Sequence, residues 1–396
     1  MDVFTILKNR NFLGLLTANT VLASAFPMQL ILGGLAGLAL APTPLFATLP
    51  TSVQSLAALL AAAPLSILMG RFGRRAGFAL GGALTVLGAG LATWALFTQS
   101  FVLLCLAHFL MGAGWAAFQY FRFAAGEVVD PVLQPVAISF MLTSGLVAAI
   151  IGPELFTSTR AAIENTPLAG AYAALAPLSL IGMVPLLLVR MARDPNKASA
   201  ERSESAPVIS IFRRRPVQRA IGMAAVSQGV MVFLMVPTPL AMVGSGHGED
   251  MASDVIRWHL IAMFAPSFIT GFLIQRFGAQ LIAISGLVTI ALAGAAAMTG
   301  LSPMHFYGSL IVLGIGWNFS FVGATTMLAA AVPPAEATGV QGANDTLIAL
   351  SSVVASFASG LVIAALGWGI VTAASVGCIL LGLAALWLFK TNLETE

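Results

Sequence analysis

Residues 70–75 read Gly-Arg-Phe-Gly-Arg-Arg and separate two apolar stretches, 48–69 and 76–97. Each stretch is close to the length of about 20 apolar residues that a helix needs to cross the hydrocarbon core of a bilayer. A second Arg-Phe-Gly occurs at 276–278, about half a chain length further on, and it also lies between two apolar stretches. The chain is therefore predicted to consist of two related halves made of membrane-spanning helices.

The composition favours a membrane protein and excludes several other classes. Of the 396 residues, 59% are hydrophobic and only 8% are charged, whereas soluble domains carry about 25% charged residues. Soluble enzymes, nucleic-acid-binding proteins and disordered scaffolds are excluded, because so few charges cannot cover a soluble globule. The chain has no phosphate-binding loop, nucleophile elbow or His-Glu-x-x-His motif, and it is not predicted to be an enzyme.

Twelve membrane spans are predicted from the apolar stretches. The first span contains Pro27 and is expected to be tilted or kinked, because proline interrupts helical hydrogen bonding. The predicted spans are 11–40, 48–69, 76–97, 101–122, 135–155, 169–190, 217–240, 253–274, 280–299, 305–328, 339–364 and 367–389.

The distribution of basic residues predicts the orientation. With a cytoplasmic N-terminus, all 18 Lys and Arg residues except Arg160 and Arg257 fall on the cytoplasmic side, in agreement with the positive-inside rule. An even number of spans then places both termini in the cytoplasm. The polar stretch 191–216 is predicted to be a cytoplasmic linker between an N-terminal six-helix bundle, 1–190, and a C-terminal six-helix bundle, 217–396.

A second internal repeat lies within two of the spans, as Gly-Ala-Gly-Trp at 112–115 and Gly-Ile-Gly-Trp at 314–317. Two parallel six-helix repeats, with a substrate site near the middle of the membrane, are typical of the major facilitator fold. The chain resembles the major facilitator superfamily over its whole length. This resemblance implies an all-α membrane protein with twelve transmembrane helices in two pseudo-symmetric halves.

Residues 70–75 resemble the signature loop that follows the second helix in this superfamily. An Asp usually precedes the first Arg of that loop, and here Gly70 stands in its place. Arg71, Arg74 and Arg75 are candidate coupling or gating residues, although the missing Asp argues against the usual charge latch between the halves. The alternative is that these arginines only set the membrane topology.

Methionine and histidine recur at helical spacing in the seventh and eighth spans. Met231 and Met235 are four residues apart, as are His259 and Met263, so each pair lies on one helix face. In an antiparallel hairpin of the two spans, Met231 is level with Met263 and Met235 with His259. Thioether sulfur with imidazole suits Cu(I), and a histidine within a membrane is a candidate functional residue. The alternative is a core of methionines with a hydrogen-bonded histidine.

A second, outer set lies in the loop between these spans. Met242, His247 and Met251 are candidates for a metal path at the periplasmic mouth, but the sequence favours the alternative of a polar loop with two interfacial methionines. His108, in the fourth span, could extend a path of soft ligands, and the sequence again favours the alternative, packing in the core.

The two motifs of the seventh and eighth spans, with Phe-Ala-Pro-Ser at 264–267, resemble the signature of the CcoA-type copper importers. These form a branch of the superfamily that supplies copper for cytochrome c oxidase assembly in bacteria. The resemblance implies that Met231, Met235, His259 and Met263 bind copper, with Cu(I) favoured as cargo and no organic cofactor. It further implies a monomer in the bacterial inner membrane, without nucleic acid, that moves copper from periplasm to cytoplasm by alternating access and delivers it to a cytoplasmic acceptor.

The acidic residues give three further expectations. Asp345 lies several residues inside the eleventh span, where an unpaired charge is costly, so it either carries a proton for coupling or caps the local backbone with Asn344. Asp254 is expected to pair with Arg257, three residues away. Glu127 is expected to pair with an arginine of its own helix or of the cytoplasmic loops.

A different function is compatible with the same fold. The chain could be a proton-coupled transporter or exporter of a small organic molecule, with copper irrelevant. That alternative predicts an aromatic and polar cavity built from Trp115, Gln119, Tyr120, Trp317 and Asn318. A sensor or assembly partner is disfavoured, because the linker is short and basic.

Overall fold

The computed structural model describes residues 3–130, 133–189, 211 and 213–391. Twelve helical segments in this part are long and apolar enough to span a membrane, which confirms the predicted all-α architecture. The chain is a multi-pass membrane protein. The spans run at Arg10–Leu40, Pro44–Phe72, Arg74–Phe97, Phe101–Glu127, Val136–Thr159, Ala169–Leu187, Arg215–Gly244, Glu249–Phe277, Ala279–Met298, Pro303–Ala331, Val340–Leu366 and Trp368–Leu386.

Several spans consist of two consecutive α-helices, namely the first, fourth, seventh and eighth. Most of the predicted linker, 191–216, lies outside the described residues. In chain order the described α-helices are α1 (Arg10–Ala23), α2 (Ala25–Leu40), α3 (Leu49–Phe72), α4 (Arg74–Phe97), α5 (Phe101–Phe118), α6 (Phe121–Glu127), α7 (Gln134–Thr159), α8 (Ala169–Met183), α9 (Arg215–Met235), α10 (Thr238–Gly244), α11 (Glu249–Phe264), α12 (Ser267–Phe277), α13 (Ala279–Met298), α14 (Pro303–Ala331), α15 (Pro334–Leu366) and α16 (Trp368–Thr391).

The chain divides into two compact units. The first unit comprises Met1–Pro195 with Ala252–Arg257, and the second comprises Asn196–Met251 with Trp258–Glu396. The first has a core of large side chains on α1, α4, α5 and α6, where Phe78 and Phe121 stack with 3.9 Å between ring centroids. A smaller apolar cluster in the second unit joins the start of α9, the end of α14 and the start of α15.

Proline accounts for three of the helix breaks within spans. The first span bends at Ser24, between α1 and α2, because the ring of Pro27 clashes with the carbonyl four residues earlier, on Ala23. This agrees with the expected kink. Pro237 and Pro266 stand at the corresponding breaks of the seventh and eighth spans. The broken helices leave backbone carbonyls free for other donors.

The repeated Arg-Phe-Gly has a conformational reason in each unit. Gly73 and Gly278 each end one helix and begin the next, with φ of +89° and +87°. Only glycine adopts such a backbone without strain. Each glycine N–H also donates to the carbonyl four residues earlier, on Met69 or Ile274. The repeat therefore encodes the same tight connection between two antiparallel spans.

The repeated Gly-x-Gly-Trp has a packing reason. In the first unit, a Cβ at Gly112 of α5 would overlap the backbone oxygen of Gln54 in α3, and one at Gly114 would lie 2.6 Å from the backbone oxygen of Gly81 in α4. Small residues permit this close approach of membrane helices. The two glycines thus pack the fourth span against the second and the third.

The second unit repeats this arrangement. A Cβ at Gly314 of α14 would lie 2.6 Å from the backbone oxygen of His259 in α11. One at Gly316 would lie 2.8 Å from the backbone nitrogen of Ile290 and 2.9 Å from the backbone oxygen of Gly286, both in α13. The tenth span therefore packs against the eighth and the ninth, as the fourth packs against the second and the third.

Candidate functional site

In the second unit, an indole, an amide and a hydroxyl form a connected group that we call the Trp317 set: Gln228, Phe264, Trp317, Phe321 and Ser352. Nε1 of Trp317 donates to Oε1 of Gln228 at 2.8 Å, and Nε2 of Gln228 donates to Oγ of Ser352 at 3.1 Å. The Trp317 ring stacks on Phe321 at 4.7 Å and meets Phe264 edge to face at 6.5 Å. All five side chains are half-buried.

The Trp317 set contains no ionisable side chain. An aromatic face can stack on a flat ring, while the amide and hydroxyl can exchange hydrogen bonds with neutral polar groups. Trp317 was expected from the sequence, whereas Gln228 and Ser352 were not. The signal that could have found them is a lone polar residue in an otherwise apolar span, but that signal does not tell which helices meet.

The first unit contains a comparable aromatic group at the end of α5. Trp115 stacks on Phe26 of α2, with ring centroids 4.3 Å apart and an interplanar angle of 17°. The hydroxyl of Tyr120 donates to the backbone oxygen of Ala62 at 2.9 Å, and Gln119 is exposed. The structure therefore places the three residues expected from this half, Trp115, Gln119 and Tyr120, at neighbouring positions.

A chain of buried hydrogen bonds crosses the interior of the first unit. We call it the His108 chain, and it joins Gln29 of α2, Gln54 of α3, His108 of α5 and Tyr172 of α8. Nε2 of Gln54 donates to Oε1 of Gln29 at 2.9 Å, and Oε1 of Gln54 lies 2.8 Å from Nδ1 of His108. Nε2 of His108 lies 2.7 Å from the hydroxyl of Tyr172.

The donors of the His108 chain fix the tautomer of the histidine. Oε1 of Gln54 can only accept, so Nδ1 of His108 carries the proton, and Nε2 accepts from the Tyr172 hydroxyl. The expectation that His108 packs in the core is confirmed, because its side chain is fully buried. Within the His108 chain, His108 also has a role that the sequence did not reveal, because the chain links four helices through polar side chains.

Asn318 has a structural role in the eighth span. It is 1% exposed, and its Nδ2 donates to the backbone oxygen of Met263 and to Oγ of Ser267, both at 2.7 Å. Oγ1 of Thr270 lies 2.7 Å from its Oδ1. These bonds satisfy the backbone at the break before Pro266, so the Asn318 amide holds a broken helix in place.

The four residues of the predicted copper site are all buried. Met231 and Met235 lie on α9, which packs against α14, α15 and α16. His259 and Met263 lie on α11, where their contacts are with α14 at Leu310, Gly314 and Asn318. The structure thus places both motifs in the interior of the second unit; His259 and Met263 contact α14, and the helix α9 that carries Met231 and Met235 also packs against α14.

His259 has one ring nitrogen free. Its Nδ1 donates to the backbone oxygen of Leu310 at 2.7 Å, and its Nε2 is buried without a hydrogen-bond partner in the described part of the chain. Among the described residues no three His, Cys, Asp or Glu side chains form a metal-binding group. A metal at Nε2 would therefore depend on thioether sulfurs, and the predicted copper site stays a prediction.

The outer set consists of Met242, His247 and Met251, and its residues are held by burial and by contacts of the His247 ring. Met242 is fully buried and Met251 half-buried. Nε2 of His247 donates to the backbone oxygen of Leu301 at 2.7 Å, and its ring lies edge to face with Phe306 at 5.9 Å. The bond to Leu301 uses one of the two ring nitrogens of His247, and the outer metal path stays a prediction.

The signature loop is anchored through Arg74. Its Nη2 and Nε donate to Oε1 of Glu127 at 2.7 and 3.2 Å, and the guanidinium carbon lies 5.7 Å from the ring centre of Tyr120. This confirms the expected pairing of Glu127 with a loop arginine. Arg71 and Arg75 are exposed. The gating role of the three arginines stays a prediction.

The other charged residues expected to have a role are Asp345, Asp254 and Arg257. Asp345 is exposed on α15, and Nδ2 of Asn344 lies 3.5 Å from its Oδ1; its coupling role stays a prediction. The expected pair of Asp254 and Arg257 is confirmed at 3.1 Å. Arg257 also donates to Glu154 at 2.9 Å, within the first unit.

Comparisons with known proteins agree with this architecture. A family model described as Major Facilitator Superfamily matches residues 12–264. The riboflavin transporter RfnT of Brucella anthropi is 38% identical over 359 residues, which cover 91% of this chain and 90% of that protein. The MFS-type transporter YdeG of Bacillus subtilis is 30% identical, covering 81% of this chain and 78% of that protein.

A solved structure of the nucleoside transporter NupG has the same fold, with a TM-score of 0.72 over 96% of this chain and 99% of that chain at 15% identity. The fold is that of a twelve-span helical membrane protein with two compact units. The family model and the relative RfnT identify its family. The chain belongs to the major facilitator superfamily.

The finer expectation from the sequence was a copper importer. The comparisons support the superfamily but not the CcoA-type copper importer, because the relative matched over nearly the whole chain is named for an organic substrate. The alternative from the sequence, a transporter of a small organic molecule, fits better. Methionine and histidine at helical spacing do not distinguish a copper site from core packing, because buried thioethers serve in both.

Proposed function

We propose that this chain transports riboflavin or a closely related flavin across the membrane. The relative RfnT supports this proposal, since it is named a riboflavin transporter and is 38% identical over about nine-tenths of both chains. As a member of the major facilitator superfamily the chain is a transporter rather than an enzyme.

The chemistry of the Trp317 set matches such a substrate. Riboflavin has a flat three-ring system with a polar edge, and it carries a neutral chain of hydroxyl groups. A half-buried indole can stack on the ring system, and amide or hydroxyl side chains can bond its polar edge and its hydroxyls. Because riboflavin is uncharged, it needs no ionised partner, and the Trp317 set has none.

The observation that carries the proposal is the fixed orientation of Trp317. Its Nε1 is bonded to Gln228, which is itself bonded to Ser352, so the indole plane is held before any substrate arrives. An aromatic platform that is already ordered loses little conformational entropy on binding. Phe26 and Trp115 provide a second stacked pair in the first unit.

Uptake of radiolabelled riboflavin by riboflavin-auxotrophic bacteria expressing the chain tests this proposal. We expect Trp317→Ala to lower uptake by about fivefold or more, since loss of an aromatic stack and its anchor costs about 1–3 kcal/mol. Trp94→Ala is the matched control, because Trp94 is 59% exposed on α4. Equal uptake by both variants and the wild type would remove Trp317 from the site, and uptake no higher than in the vector control would refute riboflavin as substrate.

Copper is the second candidate, and the free Nε2 of His259 favours it. A neutral imidazole beside thioether sulfurs binds Cu(I), and Met231, Met235 and Met263 would supply the sulfurs before release to a cytoplasmic acceptor. Copper accumulation measured by mass spectrometry separates the candidates. This function predicts loss of accumulation in His259→Ala but not in His305→Ala, whose exposed ring bonds Ser302.

The proposal includes the location of the protein. We place it in the bacterial inner membrane as a monomer with both termini in the cytoplasm, on the basis of the even number of spans and the positive-inside rule. Reporter fusions at the two termini test the orientation. Alkaline phosphatase, which is active only in the periplasm, is expected to be inactive at both ends.

A further inference from the structure

The second unit has a cavity that the transport site does not use. It is an open cavity of about 140 Å³ between α9, α13 and α16. Arg215, Gln218 and Arg219 line it at the start of α9, while Met223, Val226 and Leu287 are among its apolar residues. The cavity therefore has a polar end with two cations and an apolar wall further along the same helix.

The two arginines have unmet hydrogen-bonding capacity. Nη1 of Arg215 and Nε and Nη2 of Arg219 are shielded from solvent, and within the described residues none of the three has an acceptor. Burying guanidinium N–H groups without acceptors is costly. An anionic group in the cavity would remove that cost, since a guanidinium binds phosphate oxygens with two parallel hydrogen bonds.

The start of α9 adds to the positive potential at the polar end. The helix begins at Arg215 with Pro216 in its first turn, and no side chain caps its N-terminus. The first N–H groups of a helix and its macrodipole attract anions. This 21-residue helix therefore presents its positive end beside the two arginines.

The apolar wall points to an occupant larger than a free ion. Between Arg215 and Val226 the helix rises by about 16 Å, a length that suits the first part of an acyl chain. Gly222 lies between them, and a Cβ there would meet no atom within 4 Å. A Cβ at Gly382 of α16 would lie 3.3 Å from Val226, so α9 and α16 approach closely at this end of the cavity.

We propose that this cavity binds an anionic phospholipid, with the phosphate of its headgroup on Arg215 and Arg219 and an acyl chain along Gly222 and Val226. Basic pockets between transmembrane helices recognise anionic headgroups in this way. A zwitterionic lipid is a poorer ligand, because its ammonium group opposes the two guanidinium groups. Inorganic phosphate is a poorer ligand, because it leaves the apolar wall uncovered.

Native mass spectrometry of the purified full-length protein, with phosphatidylglycerol or phosphatidylcholine added, tests the proposal. The double variant Arg215→Gln/Arg219→Gln removes the headgroup contacts, and we expect about 30-fold weaker binding of phosphatidylglycerol. Gly222→Phe keeps both arginines and fills the acyl region, and it is also expected to weaken binding. Arg213→Gln is the matched control, because Arg213 is exposed in the same basic segment and is not among the lining residues.

The same variants are then compared by their thermal unfolding midpoints in detergent. Phosphatidylglycerol is expected to raise the midpoint of the wild type and of Arg213→Gln, and to leave the other two variants unchanged. Equal binding of phosphatidylglycerol by the wild type and the double variant would overturn the proposal, as would equal binding of both lipids. A midpoint raised equally by inorganic phosphate alone would identify a free-anion site and overturn the lipid.

Discussion

Tyr172 and His108 illustrate how the first unit keeps polar groups inside an apolar bundle. The Tyr172 hydroxyl donates to Nε2 of His108, Nδ1 of His108 donates to Gln54, and Gln54 donates to Gln29. Each buried group has its partner on another helix, so loss of one leaves another unsatisfied. The His108 chain therefore specifies how four helices meet, in addition to stabilising them.

Tyr172→Phe tests the His108 chain. The change removes one hydroxyl and leaves the lone pair of His108 Nε2 buried without a donor, so we expect a loss of about 1–3 kcal/mol in stability. The control is Tyr120→Phe, whose hydroxyl bonds a backbone oxygen at a half-buried position. Thermal unfolding in detergent should show a clearly lower midpoint for the Tyr172 variant. Equal unfolding midpoints of the two variants would contradict a structural role of the His108 chain.

Single site residues were only partly predictable from the sequence. Trp115 and Trp317 could be named because each follows a repeated Gly-x-Gly. Gln228 and Gln54 could not, because a lone amide in an apolar span does not reveal which helix lies opposite. His259 could be singled out as a buried histidine, but its spacing to Met263 fits a metal site and core packing equally well.

At the scale of the helices, glycine decides how closely spans approach. A Cβ at Gly112 would overlap the backbone of Gln54 in α3, whereas one at Gly90 would meet no atom within 4 Å. We expect Gly112→Ala to cost about 1–3 kcal/mol by forcing the two helices apart. Gly90→Ala should be neutral or slightly stabilising, since alanine is the better helix former. Similar unfolding midpoints for the two variants would contradict this packing.

The two connecting glycines give a second prediction for the helices. Gly73 and Gly278 have φ near +90°, in a region that other residues enter at a cost of about 1–3 kcal/mol. Alanine at either position is expected to lower the unfolding midpoint, although a Cβ there meets no neighbouring atom. Gly70→Ala is the control, since Gly70 is equally open but lies within α3. A midpoint unchanged in all three variants would argue against backbone strain.

The helices themselves were largely predictable, because an apolar stretch of the right length has few alternatives in a bilayer. All twelve predicted spans have counterparts in the structure. The internal breaks were less predictable. Pro27 predicted a kink, and the helix break lies at Ser24. In contrast, Pro64, Pro153 and Pro177 lie inside continuous helices. Whether a proline breaks a helix depends on neighbouring donors that the sequence does not place.

At the scale of the whole molecule, the family could be recognised from the repeats, but the substrate could not. Arg-Phe-Gly and Gly-x-Gly-Trp encode the architecture that each unit needs, so they are informative about fold and silent about cargo. The cargo depends on a few side chains such as Gln228 and Trp317, and the superfamily fold carries many different substrates. The resemblance to copper importers therefore gave the right superfamily and an unsupported substrate.

Transport by the purified full-length protein in liposomes tests the central claim most directly. Riboflavin and copper are offered side by side, and the content of washed vesicles is measured by flavin fluorescence and by mass spectrometry. We predict that riboflavin accumulates above empty liposomes, that Trp317→Ala reduces this accumulation while Trp94→Ala does not, and that copper stays at the background level. Copper accumulation without riboflavin accumulation, lost in His259→Ala, would contradict the account.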